Sequence, residues 1–405
     1  MKIPHHLSLI LLILAAAFSA CSPATSSPPA RPLDQAPTAA PSRPAAATAN
    51  AVPTASATAQ PPTAQPIYLT ATVWSSDPVA PVLAYHQFQE HGISGATNVR
   101  IDDFNRELQD LYQAGYVMVP LQSWLQGNLQ VPSGKRPIVF TMDDLFYHNQ
   151  IRFASDGSID PTTGLGASYA FSQAHPDFGF HWALFMNLGD HPYATPANPQ
   201  PLEQAVVWTL AHGAPLYNHT FTHAVLSKTS PDGVTWELSA NDRALGGLLT
   251  QAGREDLLSG LGNIFSLPFG RWPRDPQSMS ALENYKNTAG VPIQAILDID
   301  FIVRPKTMAA PYSPGFNRWD VMRMVATVSA VDYFVQHAAD IPAAQSCKLG
   351  PLNPSGPVVS SYLASQIRQA IQSGMCPPGV YATDHFVFRA NSSGVDLIYT
   401  VQPGP

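Results

Sequence analysis

Two carboxylates, Asp143 and Asp144, stand side by side just after the apolar run 137–140, where a buried strand is predicted to end. Adjacent carboxylates repel and raise each other's pKa, so a chain keeps such a pair most readily where a cation or a reacting proton uses it. His219 and His223 occur in the segment NHTFTH, and positions i and i+4 of a helical turn lie on one face, as metal ligands require. Two imidazoles and one carboxylate, with a fourth position open to water, would make a catalytic site of the zinc type.

Each of these patterns has a commoner explanation when it stands alone. A pair of aspartates is usually a helix cap or a turn, and most histidines four residues apart lie on a surface or in a core. Here, however, both patterns follow predicted strands, His86 ends an earlier predicted strand, and residues 266–270 (SLPFG) follow a later one. Ligands of parallel α/β proteins bind beyond the carboxyl ends of the strands. We therefore expect these segments to meet at one edge of a sheet.

The periodicity of apolar residues predicts the elements that position these side chains. Predicted strands cover residues 81–86, 116–119, the run ending in TMDD, 181–188, 215–218 and 263–268, and predicted helices start near Ile101 and cover 121–129, 202–212 and 236–252. Their alternation predicts an α/β fold with a parallel sheet, either open or closed as a barrel. Residues 147–180 are rich in Gly, Ser, Asp and Pro and are predicted to be an inserted loop that caps the site.

The four segments together resemble the motifs of the polysaccharide deacetylases, the NodB-type carbohydrate esterase family 4. The family's TFDDG corresponds to TMDDL here, its H-[ST]-x-x-H corresponds to HTFTH, and its R-x-P-[YF] corresponds to SLPF. The resemblance spans roughly residues 80–330. It implies a distorted (β/α)7-type barrel that removes N-acetyl groups from an N-acetylhexosamine polymer, with peptidoglycan or an exopolysaccharide as the expected substrate.

The resemblance also implies a role for each matching residue. Asp144, His219 and His223 would hold one divalent metal ion, with zinc as the expected ion and cobalt or nickel as alternatives. Asp143 would be the general base that takes a proton from the attacking water.

Three further residues are assigned around this centre. The backbone N–H of Phe269 would stabilise the oxyanion, and His86, in a Tyr-His strand end typical of exopolysaccharide deacetylases, would be the general acid. The alternative for His86 is a core histidine near the barrel mouth. Trp272, just after the third motif, would stack on a sugar ring.

Two departures from the family pattern bear on activity. Ser266 replaces the arginine that orients the base, and Leu145 replaces the glycine after the aspartate pair. Arg323, which lies late in the domain, is interpreted as structural. These changes leave open a non-catalytic glycan-binding protein, and the same machinery would also serve an O-acetyl glycan esterase.

The amino terminus predicts export. Lys2 precedes an apolar segment at residues 7–18, which ends in Phe18-Ser19-Ala20-Cys21 and resembles a bacterial lipobox. Residues 1–21 would then be a lipoprotein signal peptide, with Cys21 as the lipidated anchor to the membrane; the alternative is plain secretion. The protein is accordingly expected outside the cytoplasm, at the cell surface or in the periplasm.

Composition sets the remaining boundaries. Residues 22–76 are dominated by Pro, Ala, Thr and Ser and predict a disordered linker, followed by a catalytic domain at 77–340 and an appendage at 341–405. Cys347 and Cys376 in the appendage predict a disulfide in an oxidising compartment, with two free thiols as the alternative. A formal net charge of −7 gives no basic footprint, so nucleic acid is not an expected partner.

Overall fold

The structure is a computed structural model that describes residues 68–190, 192–194, 200–259, 261–300, 311–351 and 358–401. The predicted signal peptide, Cys21 and most of the predicted linker lie outside these ranges. Within them, no helix combines the length and the apolar character needed to cross a membrane.

The described chain alternates strands and helices for most of its length. The strands are β1 (Tyr68–Trp74), β2 (Val82–Tyr85), β3 (Gln87–Gln89), β4 (Asn98–Arg100), β5 (Tyr116–Met118), β6 (Arg136–Leu145), β7 (Trp182–Met186), β8 (Leu216–Asn218), β9 (Ile264–Ser266), β10 (Ala295–Asp300), β11 (Val321–Val325), β12 (Gln345–Pro351), β13 (Gly379–Ala382), β14 (Phe386–Ala390) and β15 (Val395–Thr400). The helices are α1 (Ile101–Gln113), α2 (Leu121–Leu125), α3 (Gly164–Ala174), α4 (Leu202–Ala211), α5 (Pro231–Gln251), α6 (Pro276–Glu283), α7 (Val328–Gln336) and α8 (Ser360–Gln372).

Seven parallel strands close into a barrel in the order β2-β11-β10-β9-β8-β7-β6, and β6 pairs back onto β2. The closing register places Val82 beside Val139 and Tyr85 beside Met142. The predicted (β/α)7-type barrel is therefore confirmed. The carboxyl ends of all seven strands lie at one mouth of the barrel, where the sequence analysis predicts the candidate site residues.

Side chains alternate across each barrel strand, so one residue in two faces the interior. Buried apolar residues from all seven strands meet in a single core cluster, including Val82, Val139, Phe185, Ile264 and Val321. Several of these residues begin their strands, so this cluster fills the amino-terminal half of the barrel. The interior positions farther along β6, β9 and β11 carry polar residues instead.

A second, five-stranded antiparallel sheet has the order β12-β1-β13-β14-β15. One face packs against α8 through Leu363 and Ile367, and the other adds Trp74 and Val380 to the barrel core, so this sheet covers the amino ends of the strands. A disulfide joins Cys347 of β12 to Cys376, which lies in the loop between α8 and β13, with Cα atoms 5.7 Å apart.

Two predicted segments differ in the structure. The predicted linker at 22–76 extends too far, because residues 68–74 form the interior strand β1, which pairs with β12 and β13. The predicted capping loop at 147–180 contains the helix α3, whose start is capped by the Thr163 side chain. Because α3 packs against α1 on the outside of the barrel, it is the crossover helix between β6 and β7.

Candidate metal centre and active-site cleft

The aspartate pair lies where β6 departs from regular strand geometry. Neighbouring residues of a strand point to opposite faces, so two adjacent carboxylates cannot normally share a site. The pairing of β6 with β7 shifts register between Met142 and Leu145, and Asp144 adopts a left-handed conformation with φ of 59°. This bulge turns the second carboxylate to the side of the first. Leu145, where the family has a glycine, still pairs with Met186 and is fully buried.

The loop 219–223 follows β8 and is fixed by hydrogen bonds to side chains of α5. Glu237 accepts hydrogen bonds from the backbone N–H groups of Phe221 and Thr222, at 2.9 and 2.8 Å. Asn218 accepts from the backbone N–H of Thr220 at 2.9 Å, and its amide is itself bonded to Asn241 of α5. These buried polar contacts fix the loop that carries both histidines, and the sequence analysis did not identify them.

Backbone strain is concentrated at this site. Among the described residues, the non-glycine positions with positive φ are Asp144, Thr220, His223 and Phe269. Such conformations are sparsely populated for residues with a Cβ atom and persist where the surrounding structure enforces them. All of these strained positions belong to the segments that the sequence selected for chemistry.

Asp144, His219 and His223 converge as predicted. One potential ligand atom from each lies within 4.8 Å of the others, and Asp144 Oδ1 is 3.5 Å from His219 Nε2 and 3.2 Å from His223 Nε2. Asp144 Oδ1 is buried and has no hydrogen-bond partner among the described residues. His219 Nδ1 donates to the backbone carbonyl of Ser266 at 2.8 Å, which leaves the lone pair of Nε2 free to bind a metal. The two nitrogens and one carboxylate oxygen fit a divalent metal with an open coordination position.

The protonation states also suit a cation site. Burial and the neighbouring His219 lower the pKa of His223, which favours the neutral ring that a metal requires. For His219, burial alone would lower the pKa, but the carboxylates of Asp143 and Asp144 raise it above its ordinary value. The negative charge that raises this pKa is the charge that a bound metal ion would compensate.

Asp143 is not a member of the ligand cluster and is clamped by Arg323 of β11. Arg323 Nη1 donates to Asp143 Oδ1 at 2.6 Å, and Nη2 donates to Oδ2 at 2.8 Å. The hydroxyl of Ser266 accepts from Nη2 at 2.6 Å and donates to Asp143 Oδ2 at 3.1 Å. Although burial would raise the pKa of Asp143, the guanidinium of Arg323 and the charge of His219 hold it well below its usual range. Asp143 therefore stays ionised near neutral pH.

Arg323 lies inside the barrel, fully buried, with its guanidinium 5.2 Å from the centre of the Phe185 ring. The sequence analysis interpreted Arg323 as structural and did not identify Asp143 as its partner. A local signal was available, because Val321 and Val325 flank it at a spacing of two and share its inward face. An arginine at a barrel-interior position needs a buried carboxylate, and Asp143 is that partner. Ser266, which stands where the resemblance would place an arginine, bonds to both Arg323 and Asp143 and so completes their hydrogen-bond network.

Phe269 follows β9 with φ of 57°. Its backbone N–H has no acceptor among the described residues, so it is available to an incoming ligand. The residue is 58% exposed, and its ring lies 4.3 Å from the His223 ring, measured between centroids. Both properties agree with the predicted role of an oxyanion donor at the cleft.

His86 follows β2 at the opposite side of the same cleft. Its Nδ1 is buried without a hydrogen-bond partner among the described residues, and its backbone carbonyl accepts from Gln150 at 2.7 Å. Burial lowers the pKa of His86 below its ordinary value, although Asp143 and Asp144 act in the other direction. His86 therefore lines the cleft at the barrel mouth, and its role as general acid stays a prediction.

Trp272 has a different environment from the one predicted. Its indole N–H donates to Asp298 Oδ2 at 2.9 Å, and its half-buried ring packs against the cluster that contains Leu282 and Tyr285. The cleft is lined by its neighbours Phe269 and Arg271. Stacking of Trp272 on a sugar stays a prediction that these contacts do not favour.

The metal-ligand cluster, Asp143 and His86 open into one cleft of about 660 Å³. This volume falls within the range for sites that bind small molecules or a few sugar units. The remaining lining comes mainly from loops after β8 and β9 and includes Val225, Ser227, Lys228, Arg271, Arg274 and Ile299.

Comparison with known proteins gives no match to a protein-family profile and no match to a curated protein sequence. Solved structures similar to the chain include the Streptococcus pyogenes deacetylase PplD in complex with acetate, at 15% identity and a TM-score of 0.42, covering 64% of this chain and 98% of that one. A polysaccharide deacetylase from Bacillus cereus has the same identity and TM-score, with 64% and 69% of the two chains covered. IcaB from Ammonifex degensii matches at 15% identity and a TM-score of 0.38, covering 65% and 99%. At identities and TM-scores this low, function has to be argued from the residues of this chain.

Proposed function

We propose that the protein is a metal-dependent deacetylase that removes N-acetyl groups from an N-acetylhexosamine polymer outside the cytoplasm. The observation that carries the proposal is the convergence of Asp144, His219 and His223 beside a carboxylate, Asp143, that is held out of the ligand cluster. A site that only held a cation would have no use for a second, separately clamped acid.

A divalent metal held by these three ligands would supply a Lewis acid and lower the pKa of a water molecule at the site. Asp143 would take the proton from the water that attacks the acetyl carbonyl carbon, and the distance of 3.9 Å between its Oδ2 and His219 Nε2 supports this role. The bidentate contact with Arg323 fixes the direction of the carboxylate, so no rearrangement is needed during attack.

Two groups on the cleft wall complete the reaction. The free backbone N–H of Phe269 would donate to the oxygen that becomes negatively charged as the carbonyl carbon turns tetrahedral. His86 would give a proton to the amine nitrogen when the C–N bond breaks, releasing acetate and the free amino sugar. A lowered pKa makes the protonated ring of His86 a stronger acid toward that nitrogen.

An acetate-release assay on purified protein, combined with metal analysis by mass spectrometry, tests this function. We expect about one divalent ion per chain and release of acetate from N-acetylglucosamine oligomers or cell-wall glycan. Asp143→Asn is expected to retain the metal and lose turnover, whereas His219→Ala is expected to lose both. Thermal unfolding of each variant controls for loss of the fold.

Other outcomes identify the alternatives. A protein that binds metal but releases no acetate from any glycan would refute the proposal and favour a glycan-binding protein. Release from O-acetylated glycans alone would make it an esterase with the same machinery. The proposed lipid anchor is tested separately, because Cys21→Ser should move the protein from the membrane fraction to the soluble fraction of the producing cell.

A further inference from the structure

The wall of the cleft carries an uncompensated positive charge. Lys228, Arg271 and Arg274 all line the cleft, and all three are exposed. Within the described residues, none of them forms an ion pair or a side-chain hydrogen bond with a carboxylate. Other exposed arginines of the described chain, such as Arg243 and Arg368, also have no ion pair there, but they lie apart from one another and outside the cleft, whereas these three cations share its lining.

The sign of this local charge is opposite to the formal net charge of the whole chain, which is −7. The carboxylates that line the cleft are those of Asp143 and Asp144, and both have other partners: Arg323 for the first and the histidine cluster for the second. Apart from these two carboxylates, every charged residue of the lining is positive. Asp190, whose charge reaches His223, is not part of the lining.

The positive groups also share one side of the cleft. Lys228 ends the short 3-10 turn Leu226–Lys228 after β8, and Arg271 and Arg274 follow the turn Pro268–Gly270 after β9. Because β8 and β9 are neighbours in the barrel, the three cations form one wall. The facing wall, after β2, presents His86, Ala96 and Thr97, which carry no fixed charge.

We infer that the substrate is an anionic glycan, in which a carboxylate or phosphodiester group lies close to the acetamido group that is cleaved. This inference rests on the proposed function. Guanidinium groups bind carboxylate and phosphate oxygens through paired N–H donors, and the two arginines lie three residues apart at the mouth of the cleft. A neutral chitin-like chain would leave all three cations without a partner, whereas an acidic chain would pair with them.

The inference is tested with substrates that differ in charge alone. Hyaluronan hexasaccharide carries alternating N-acetylglucosamine and uronate, and its carboxyl methyl ester has the same sugar backbone without the charge. We expect kcat/KM for acetate release to be about tenfold higher on the acid than on the ester, and to fall toward the ester value as salt is raised. An oligomer of N-acetylglucosamine 1-phosphate provides the phosphodiester arm, and the faster of the two acidic probes identifies the preferred anion.

Charge-removing variants locate the effect. Arg271→Gln combined with Arg274→Gln should lower kcat/KM on the acidic probe about tenfold and change it less than twofold on the ester. Lys228→Gln, on the other loop, gives an independent variant with the same direction of change. Arg368→Gln is the matched control, because Arg368 is an exposed arginine on α8, away from the cleft.

Failure of this inference can be told apart from failure of the proposed function. Equal rates on the acid and the ester, or equal losses on both in the variants, would overturn the anionic substrate while leaving a deacetylase. If no probe releases acetate, the proposed function fails, and the dissociation constants of the acid and the ester decide the inference. Equal Kd values, unchanged by the arginine variants, would overturn it.

Discussion

The buried pair of Arg323 and Asp143 gives the sharpest prediction. Replacing Arg323 with methionine keeps an unbranched side chain in the barrel but removes the guanidinium. Asp143 would lose both of its 2.6 and 2.8 Å charge-assisted hydrogen bonds while remaining only 2% exposed. Breaking a buried pair by removing one partner typically costs about 3–5 kcal/mol, because the other charge stays behind without compensation.

The same variant should lose activity for a separate reason. Without Arg323, the base keeps only the Ser266 hydroxyl as a fixed partner, so its direction toward the attacking water is lost. General-base catalysis contributes about 10²- to 10⁴-fold, so Arg323→Met should lower kcat by a factor of that order while the metal content is unchanged. The kcat of Arg323→Lys should fall between those of the wild type and Arg323→Met, because a lysine supplies the charge but not the bidentate geometry.

A double-mutant cycle separates the pair from its surroundings. Unfolding by urea is measured for Arg323→Met, Asp143→Asn and the double variant, and acetate release is measured on the same samples. Because each single variant leaves one buried charge, the double variant should be less destabilised than the sum of the two by about 3 kcal/mol or more. Additive losses, or an Arg323→Met protein that keeps wild-type stability and turnover, would refute the clamp.

Two further predictions concern stability away from the metal centre. Burial raises the pKa of Glu107, whose carboxyl accepts from the Tyr85 hydroxyl at 3.1 Å, to about 8 from an ordinary value of 4.5. The folded state therefore holds this proton more tightly than the unfolded state, so the stabilisation from the protonated Glu107 is complete below pH 4.5 and is lost as the pH rises through 8. Glu107→Gln should flatten this decline in the free energy of unfolding, which is at most about 5 kcal/mol when measured by urea unfolding. An unchanged pH profile in the variant would contradict the assignment. Replacing Cys347 and Cys376 with serine opens a link across 29 residues and should cost about 3–4 kcal/mol of stability. Acetate release at 25 °C should be unchanged, because the disulfide joins β12 to the loop after α8, on the side of the molecule that covers the amino ends of the barrel strands. A large loss of turnover would show that this sheet shapes the cleft.

The residues of the metal site could be predicted because their signals are local. Asp144, His219 and His223 each follow an apolar run that predicts a strand, and parallel strands place their carboxyl ends together without any knowledge of pairing order. The spacing of the histidines added the second local signal. The bulge that aligns the two aspartates could not be predicted, because it depends on how β6 pairs with β7.

The features that were missed depend on partners far away in sequence. Arg323 contacts Asp143 across 180 residues, and the strand β1 pairs with residues 345–351 near the other end of the described chain. The segment YLTATVW has the β-branched and aromatic residues of a strand, but it directly follows a stretch of Pro, Ala and Thr that predicts disorder. Amino-acid composition is averaged over a window of residues, so it does not locate the boundary between the predicted linker and β1. Only the pairing of β1 with β12 and β13 shows that residues 68–74 are ordered.

The barrel separates what stabilises the protein from what performs its chemistry. At the amino ends of the strands, apolar side chains continue from the barrel into the five-stranded sheet, so burial there is unbroken. At the carboxyl ends, the chain holds strained backbone at Asp144 and His223, an orphaned carboxylate oxygen and a buried ion pair, each of which lowers stability or adds little to it. Such features persist only if the rest of the fold over-determines them, and the closed barrel with its covered lower end can do so. For this reason the clamp variants should change activity and stability together, whereas the disulfide variants should change stability alone.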